Sequence, residues 1–186
     1  MRLEGKRITF GITGSLYAIK QVIPQIQNLI KEGADIIPIM SFNYCEKVRE
    51  VEESIKTVEE ITHKSPLCIR DSISEMKKSD LMIIAPCSGN IIAKLANGII
   101  DEMILEIAEM HLKSEKNIIV GIATTEGLGL EAENIGKLLN MKKIFFVPFR
   151  QNNPITKPNS LMYSNRYILE TTMKALKEEQ IQPILL

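Results

Sequence analysis

The sequence predicts a doubly wound α/β fold, a parallel sheet of about six strands with helices on both faces. Three observations predict it. Strand-like and helix-like segments alternate along the whole chain. Two runs, LMIIA at Leu81–Ala85 and NIIVGIA at Asn117–Ala123, are apolar without a break, as strands buried on both faces are. Two strand-to-helix turns, GITGS at Gly11–Ser15 and APCSGN at Ala85–Asn90, are short, polar and glycine-containing.

The elements follow in order. Arg7–Ile12 reads as the first strand. Leu16–Glu32 reads as a helix, because Ile19, Val22, Ile23, Ile26, Leu29 and Ile30 recur at three- and four-residue spacing. Gly33 is its stop signal. Asp35–Met40 is the second strand. The charged segment Glu46–Thr62 reads as an exposed helix broken once. Ser65-Pro66 resets the chain, Leu67–Ile69 is a short third strand and Ser72–Lys78 a helix. Leu81–Ala85 is the fourth strand. Ile91–Asn97 and Glu102–Lys113 are helical, with Gly98 as the break between them. Asn117–Ala123 is the fifth strand, Leu130–Met141 a helix and Lys143–Phe146 the last strand. A long Pro- and Asn-rich loop follows, and Asn165–Glu179 is the final helix.

Composition narrows the function. A chain of 186 residues suits one domain, here 1–186, large enough to bury a core. Its 23 basic and 23 acidic residues balance, which gives no electrostatic case for nucleic acid or an anionic membrane. No apolar run approaches the ~20 residues of a membrane span, and MRLEGKRITF has no signal-peptide character. Three widely spaced cysteines, Cys45, Cys68 and Cys87, argue against a disulfide framework or a zinc site and suit a reducing cytoplasm.

In doubly wound sheets, ligands bind beyond the carboxyl ends of the strands, where the strand order reverses. If the first strand lies beside the fourth, GITGS and APCSGN meet there. Both lead into helices, whose first turns present amides and partial positive charge. Ser15 and Ser88 add hydroxyls. A nicotinamide dinucleotide normally requires G-x-G-x-x-G and an acidic residue after the second strand. Here the turn is G-x-x-G-S and the second strand ends at Met40-Ser41. The pattern therefore favours a mononucleotide, with Gly14 and Ser15 facing one phosphate.

The same residues resemble a family. GITGS, and APCSGNIIAKLANGIID over Ala85–Asp101, resemble the homo-oligomeric flavin-containing cysteine decarboxylase superfamily. The resemblance implies a Rossmann-like fold and FMN as cofactor. It places Gly14 and Ser15 on the phosphate, Ser41 after the second strand, and Pro86, Ser88 and Asn90 against the flavin ring. It also implies a homo-oligomer, a trimer or a multiple of it, with Ile91–Ala108 near an interface. Two departures from the decarboxylases are visible. Their P-x-M-N motif is replaced by ATTEGLG at Ala123–Gly129, and neither His63 nor His111 stands in a matching motif for their catalytic histidine. Cysteine decarboxylation is thereby disfavoured.

GLGLEAENIGKLL at Gly127–Leu139, VPFRQNNPITKPNS at Val147–Ser160 and the overall length extend the resemblance to one oxidoreductase group within the superfamily. What that implies is oxidation of a dihydropyridine or hydroxytetrahydropyridine dicarboxylate together with an A subunit. NAD(P) would sit on that partner, and the setting would be the mother cell of a sporulating bacterium. The alternatives are an FMN-dependent decarboxylase and a non-catalytic scaffold that activates the A subunit.

The loop Phe149–Ser160 is the candidate substrate element. Arg150 and Lys157 bring two cations to the carboxyl edge of the sheet, and a dicarboxylate needs such groups. Cys87, Met103 and Met110 read as packing residues. Glu126 and Glu131 read as solvated or capping groups.

Overall fold

The computed structural model describes residues 1–14, 16–40, 49–66 and 78–186. Ser15, Ser41 and the segments read above as a third strand, Leu67–Ile69, and as the helix from Ser72 lie outside these residues, as does the start of the helix from Glu46.

Among the described residues seven strands form one sheet: β1 Arg7–Ile12, β2 Asp35–Met40, β3 Leu81–Ser88, β4 Asn117–Thr124, β5 Ile144–Phe146, β6 Phe149–Asn153 and β7 Lys157–Tyr163. The order is β2-β1-β3-β4-β7-β6, with β5 also paired to β4. The pairings among β1 to β5 are all parallel. β4 shares its far edge, with β5 beside Ile118–Val120 and antiparallel β7 beside Ala123 and Thr124. The strand order thus reverses between β1 and β3, the switch point the two glycine-containing turns require.

Six helices flank the sheet among the described residues: α1 Leu16–Lys31, α2 Arg49–Thr62, α3 Gly89–Ala96, α4 Met103–Lys113, α5 Ala132–Leu139 and α6 Ile168–Ala175. α1 packs beside α2 and α6, and α3 packs beside α4 and α5. The three- and four-residue stripe of α1 is its inner face, with Ile19, Val22, Ile26 and Leu29 fully buried. Gly33, at φ +96°, ends that helix. His63, with φ 55°, plays the same role after α2: its amide donates to the Glu59 carbonyl at 2.7 Å. None of these helices is long and apolar enough to cross a membrane.

The core is the sheet itself. Ile8, Phe10, Ile12, Leu81–Ala85, Ile118–Val120 and Phe146 are buried. Gly11 serves this packing. A Cβ there would stand 2.5 Å from Ile104 Cδ1, so a larger residue would require that side chain to shift. Met103 and Met110 pack against the core as filler.

One expectation is corrected. Lys143–Phe146 is not the last strand, and Phe149–Ser160 is not a loop. After β5 the chain makes the hairpin β6–β7, closed by the Asn153–Lys157 pair. Asn153 Oδ1 accepts the Thr156 amide at 3.1 Å and so forms the turn locally. Pro158 is tolerated because β7 pairs with β4 only further along, at Leu161 and Met162.

Candidate functional site

β3 carries a bulge between Ile84 and Cys87, one residue longer than the facing stretch of β4. Proline suits such a position, where no ladder amide is needed. The irregularity turns the Pro86 carbonyl toward β1. Thr13 meets it twice, its amide donating at 3.3 Å and its hydroxyl at 2.8 Å. The same hydroxyl accepts the Ser88 amide at 3.0 Å. Thr13 is 1% exposed, so these bonds are made away from water and knit the two turns into one unit.

That unit forms one end of a cavity of about 720 Å³. Gly14, Pro86, Gly89 and Asn90 come from the two turns, and Gln21 from α1. Thr124, Thr125, Glu126 and Glu131 come from the end of β4 and the segment after it, and Asn152, Lys157 and Ser160–Tyr163 from the hairpin. The volume lies within the ~300–1,000 Å³ usual for small-molecule and cofactor sites. The walls divide chemically. Pro86, Ala123, Leu161, Met162 and Tyr163 offer apolar surface, and the rest offer donors and acceptors.

Gly14 sits at φ +96°, and among the described residues its missing Cβ would have only Pro86 Cγ within 4 Å, at 3.9 Å. The backbone there is shaped for glycine and leaves room for a group to approach. At the second turn Ser88 is the residue before α3, and its hydroxyl makes no capping hydrogen bond. The first amides of α3 are therefore left uncapped by that side chain, beside the cavity residues Gly89 and Asn90.

Of the residues singled out by sequence, Gly14, Pro86 and Asn90 share the cavity wall with Lys157. Ser88 is the last residue of β3; its backbone, bonded to Thr13, makes its contribution. Arg150 stands on the exposed hairpin, opposite Met162, and is not part of the wall. The structure thus separates the two cations. His63 is exposed and His111 is buried in α4, neither of them at the cavity. Cys87 is fully buried, and burial pushes its thiol well above the ordinary range, with the Glu131 carboxylate adding to the effect. It is a packing residue rather than a nucleophile.

Four contributors are not evident from sequence. Thr13 is visible there only as part of a turn. Tyr163 lies beside Gly121, where a Cβ would come within 3.1 Å of its ring, and it gives the cavity an aromatic wall. Burial raises its phenol pKa and keeps the hydroxyl protonated. Glu126 and Glu131, read above as solvated or capping groups, line the cavity. The signal for these residues is tertiary: the hairpin and the turn after β4 fold over the switch point.

The Flavoprotein family profile matches residues 1–182. The B subunit of dipicolinate synthase from Bacillus subtilis is 38% identical over 192 aligned residues, covering 98% of this chain and 94% of that one. The crystal structure of the corresponding B subunit from Bacillus halodurans superposes with a TM-score of 0.89 at 35% identity, covering 100% of this chain and 98% of that one. AnUbiX (PadA1), solved in complex with FMN and dimethylallyl pyrophosphate, shares the fold at a TM-score of 0.58 and 18% identity, over 77% of each chain. The chain belongs to the Flavoprotein family and, over its whole length, is similar to the dipicolinate synthase B subunits.

Proposed function

We propose that the chain binds FMN across the β1/β3 switch point. Together with the dipicolinate synthase A subunit, it oxidises dihydrodipicolinate, or its hydroxytetrahydro precursor with loss of water, to pyridine-2,6-dicarboxylate in the mother cell of a sporulating bacterium. The observation that carries the reading is the joining of the two turns by Thr13 at the mouth of a cofactor-sized cavity. It is supported by full-length similarity to the dipicolinate synthase B subunits and by the FMN complex of AnUbiX.

The residues present fit the cofactor. Gly14 and Ser15 would hold the phosphate at the first turn. Pro86, Asn90 and the ring of Tyr163 would flank the flavin, and Ser41 would serve the segment after β2. When bound, FMN supplies a two-electron acceptor. The protein's task is then to bind and orient, since aromatisation of the substrate ring is itself favourable. Lys157 would pair with a substrate carboxylate at the hairpin side of the cavity, and Arg150 would lie at its rim. The apolar wall excludes water from the reacting faces. NAD(P) belongs on the A subunit in this account, and the present chain assembles as a homo-oligomer, a trimer or a multiple of it.

The test is a co-assay. The purified chain is mixed with the A subunit, with and without FMN, and formation of pyridine-2,6-dicarboxylate is followed. The reading expects product only when both proteins and FMN are present. Full activity of the A subunit alone would refute it. Restoration of activity by the present chain free of flavin would point to a scaffold.

A further inference from the structure

The cavity that holds Lys157 also holds two carboxylates, Glu126 and Glu131. Among the described residues neither forms an ion pair; Glu126 is exposed to solvent and Glu131 is half-buried. Glu131 is the better oriented. Asn134 Nδ2 donates to its Oε2 at 3.3 Å. Asn134 Oδ1 in turn accepts from Asn97 Nδ2 at 2.9 Å, and Asn97 Oδ1 accepts from Lys137 Nζ at 3.1 Å. This chain of bonds ties α5 to the end of α3. The other oxygen, Oε1, presses against the start of α3, 3.2 Å from where a Cβ on Gly89 would stand. Oε2 is thus held by Asn134, while Oε1 accepts no hydrogen bond among the described residues and lies at the cavity wall.

The charge pattern limits what that partner can be. One ammonium and one half-buried carboxylate suit a ligand that offers a proton donor as well as an anion. A ligand with only negative charge gains from Lys157 and loses at Glu131. The ring nitrogen of a partly saturated pyridine dicarboxylate, as an enamine N–H or a protonated imine, presents an N–H donor between its carboxylates. Its aromatic product has no N–H at neutral pH and presents a lone pair there instead.

We infer that Glu131 is the specificity-determining residue that reads the ring nitrogen. It accepts a hydrogen bond from the N–H of the reduced ring and repels the aromatic dianion. This rests on the dicarboxylate reading given above, and it makes product release a direct consequence of aromatisation. Asn134 is a positioning residue, acting through Glu131.

Binding, not turnover, tests it. The full chain, with FMN present throughout, is titrated by calorimetry with piperidine-2,6-dicarboxylate, whose nitrogen is protonated, and with pyridine-2,6-dicarboxylate. The protein should prefer the piperidine by about tenfold, the scale of one charge-assisted hydrogen bond. Glu131→Gln keeps the shape of the side chain and should bring the two affinities to near parity, mainly by tightening the pyridine. Asn134→Ala should lower the preference part of the way, and serves as the test if Glu131→Gln fails to fold. Glu126→Gln should leave it in place. An unchanged preference in Glu131→Gln, loss of the preference in Glu126→Gln instead, or equal binding by the unsubstituted protein would overturn the inference and leave the dicarboxylate reading standing. Failure of both compounds to bind would overturn the dicarboxylate reading, and this inference with it.

Discussion

The Thr13 hydroxyl donates to the Pro86 carbonyl at 2.8 Å, across 73 residues of sequence. A bulge normally leaves a backbone group without a ladder partner. Here the orphaned carbonyl is the point of attachment between β1 and β3. The two turns that would hold a cofactor are therefore fixed relative to each other before any ligand arrives, and less ordering remains to be done on binding.

Replacing Thr13 by Val keeps the shape and removes the hydroxyl. The Ser88 amide loses its acceptor in a part-buried setting, and Pro86 keeps only the longer bond to the Thr13 amide. A buried group left unsatisfied costs about 1–3 kcal/mol. Urea unfolding of Thr13→Val should show a loss of that size, and FMN affinity should fall with it. Unchanged stability would mean that the joint does not bear on the fold.

The two hairpin cations should differ in weight. Lys157 lines the cavity and Arg150 does not. Charge-assisted hydrogen bonds contribute roughly 1.5–3 kcal/mol. Lys157→Gln should therefore lower kcat/KM by about ten- to a hundredfold in the co-assay. Arg150→Ala should lower it less, and neither should move the thermal midpoint of an exposed hairpin. If Arg150→Ala proves the more damaging with the A subunit saturating, the hairpin must close further over the site than this structure shows.

His111 supplies a pH dependence of stability. Its Nδ1–H donates to the Ile107 carbonyl at 2.9 Å, and its Nε2 is buried without a partner among the described residues. Burial lowers its pKa. The hydrogen bond to Ile107 works against the shift, and the charge of Lys116 adds to it. Below the ordinary imidazole value of about 6.5 the unfolded chain takes up a proton that the folded chain refuses. Stability is full above that pH and falls as pH drops from there toward the lower folded value, by at most about 1.4 kcal/mol per pH unit. Urea midpoints compared at pH 7.5 and pH 5.5 should show the decline. His111→Leu should remove this part of it. A slope equal to that of the unsubstituted protein would assign the effect to other groups.

Local signals make the parallel half of the fold legible. β1 and β2 run over the residues expected, because continuous apolar runs between glycine and helix signals leave little choice. The hairpin is not legible in this way. Arg150, Gln151, Asn152 and Asn153 are exposed on β6 and carry no alternation of polar and apolar residues, and Pro154 and Pro158 read as breakers. β7 pairs with the edge of β4 beyond β5, and β6 pairs with β7, long-range partners that no local window contains. The site divides in the same way. Gly14, Pro86 and Asn90 announce themselves in turns of recognisable type. Tyr163, Glu126 and Glu131 reach the cavity only because distant elements fold over it.

The most direct test of the account is an equilibrium titration of FMN into the purified chain and into Gly14→Val, followed by flavin fluorescence. Gly14→Val forces a β-branched side chain into the left-handed region, where backbone is expected to approach the phosphate. Saturable binding at one FMN per chain, lost in Gly14→Val while its circular dichroism is retained, is the predicted result. No binding by the unsubstituted chain at high micromolar FMN, or equal binding by the two proteins, would contradict a flavin site at the β1/β3 switch point.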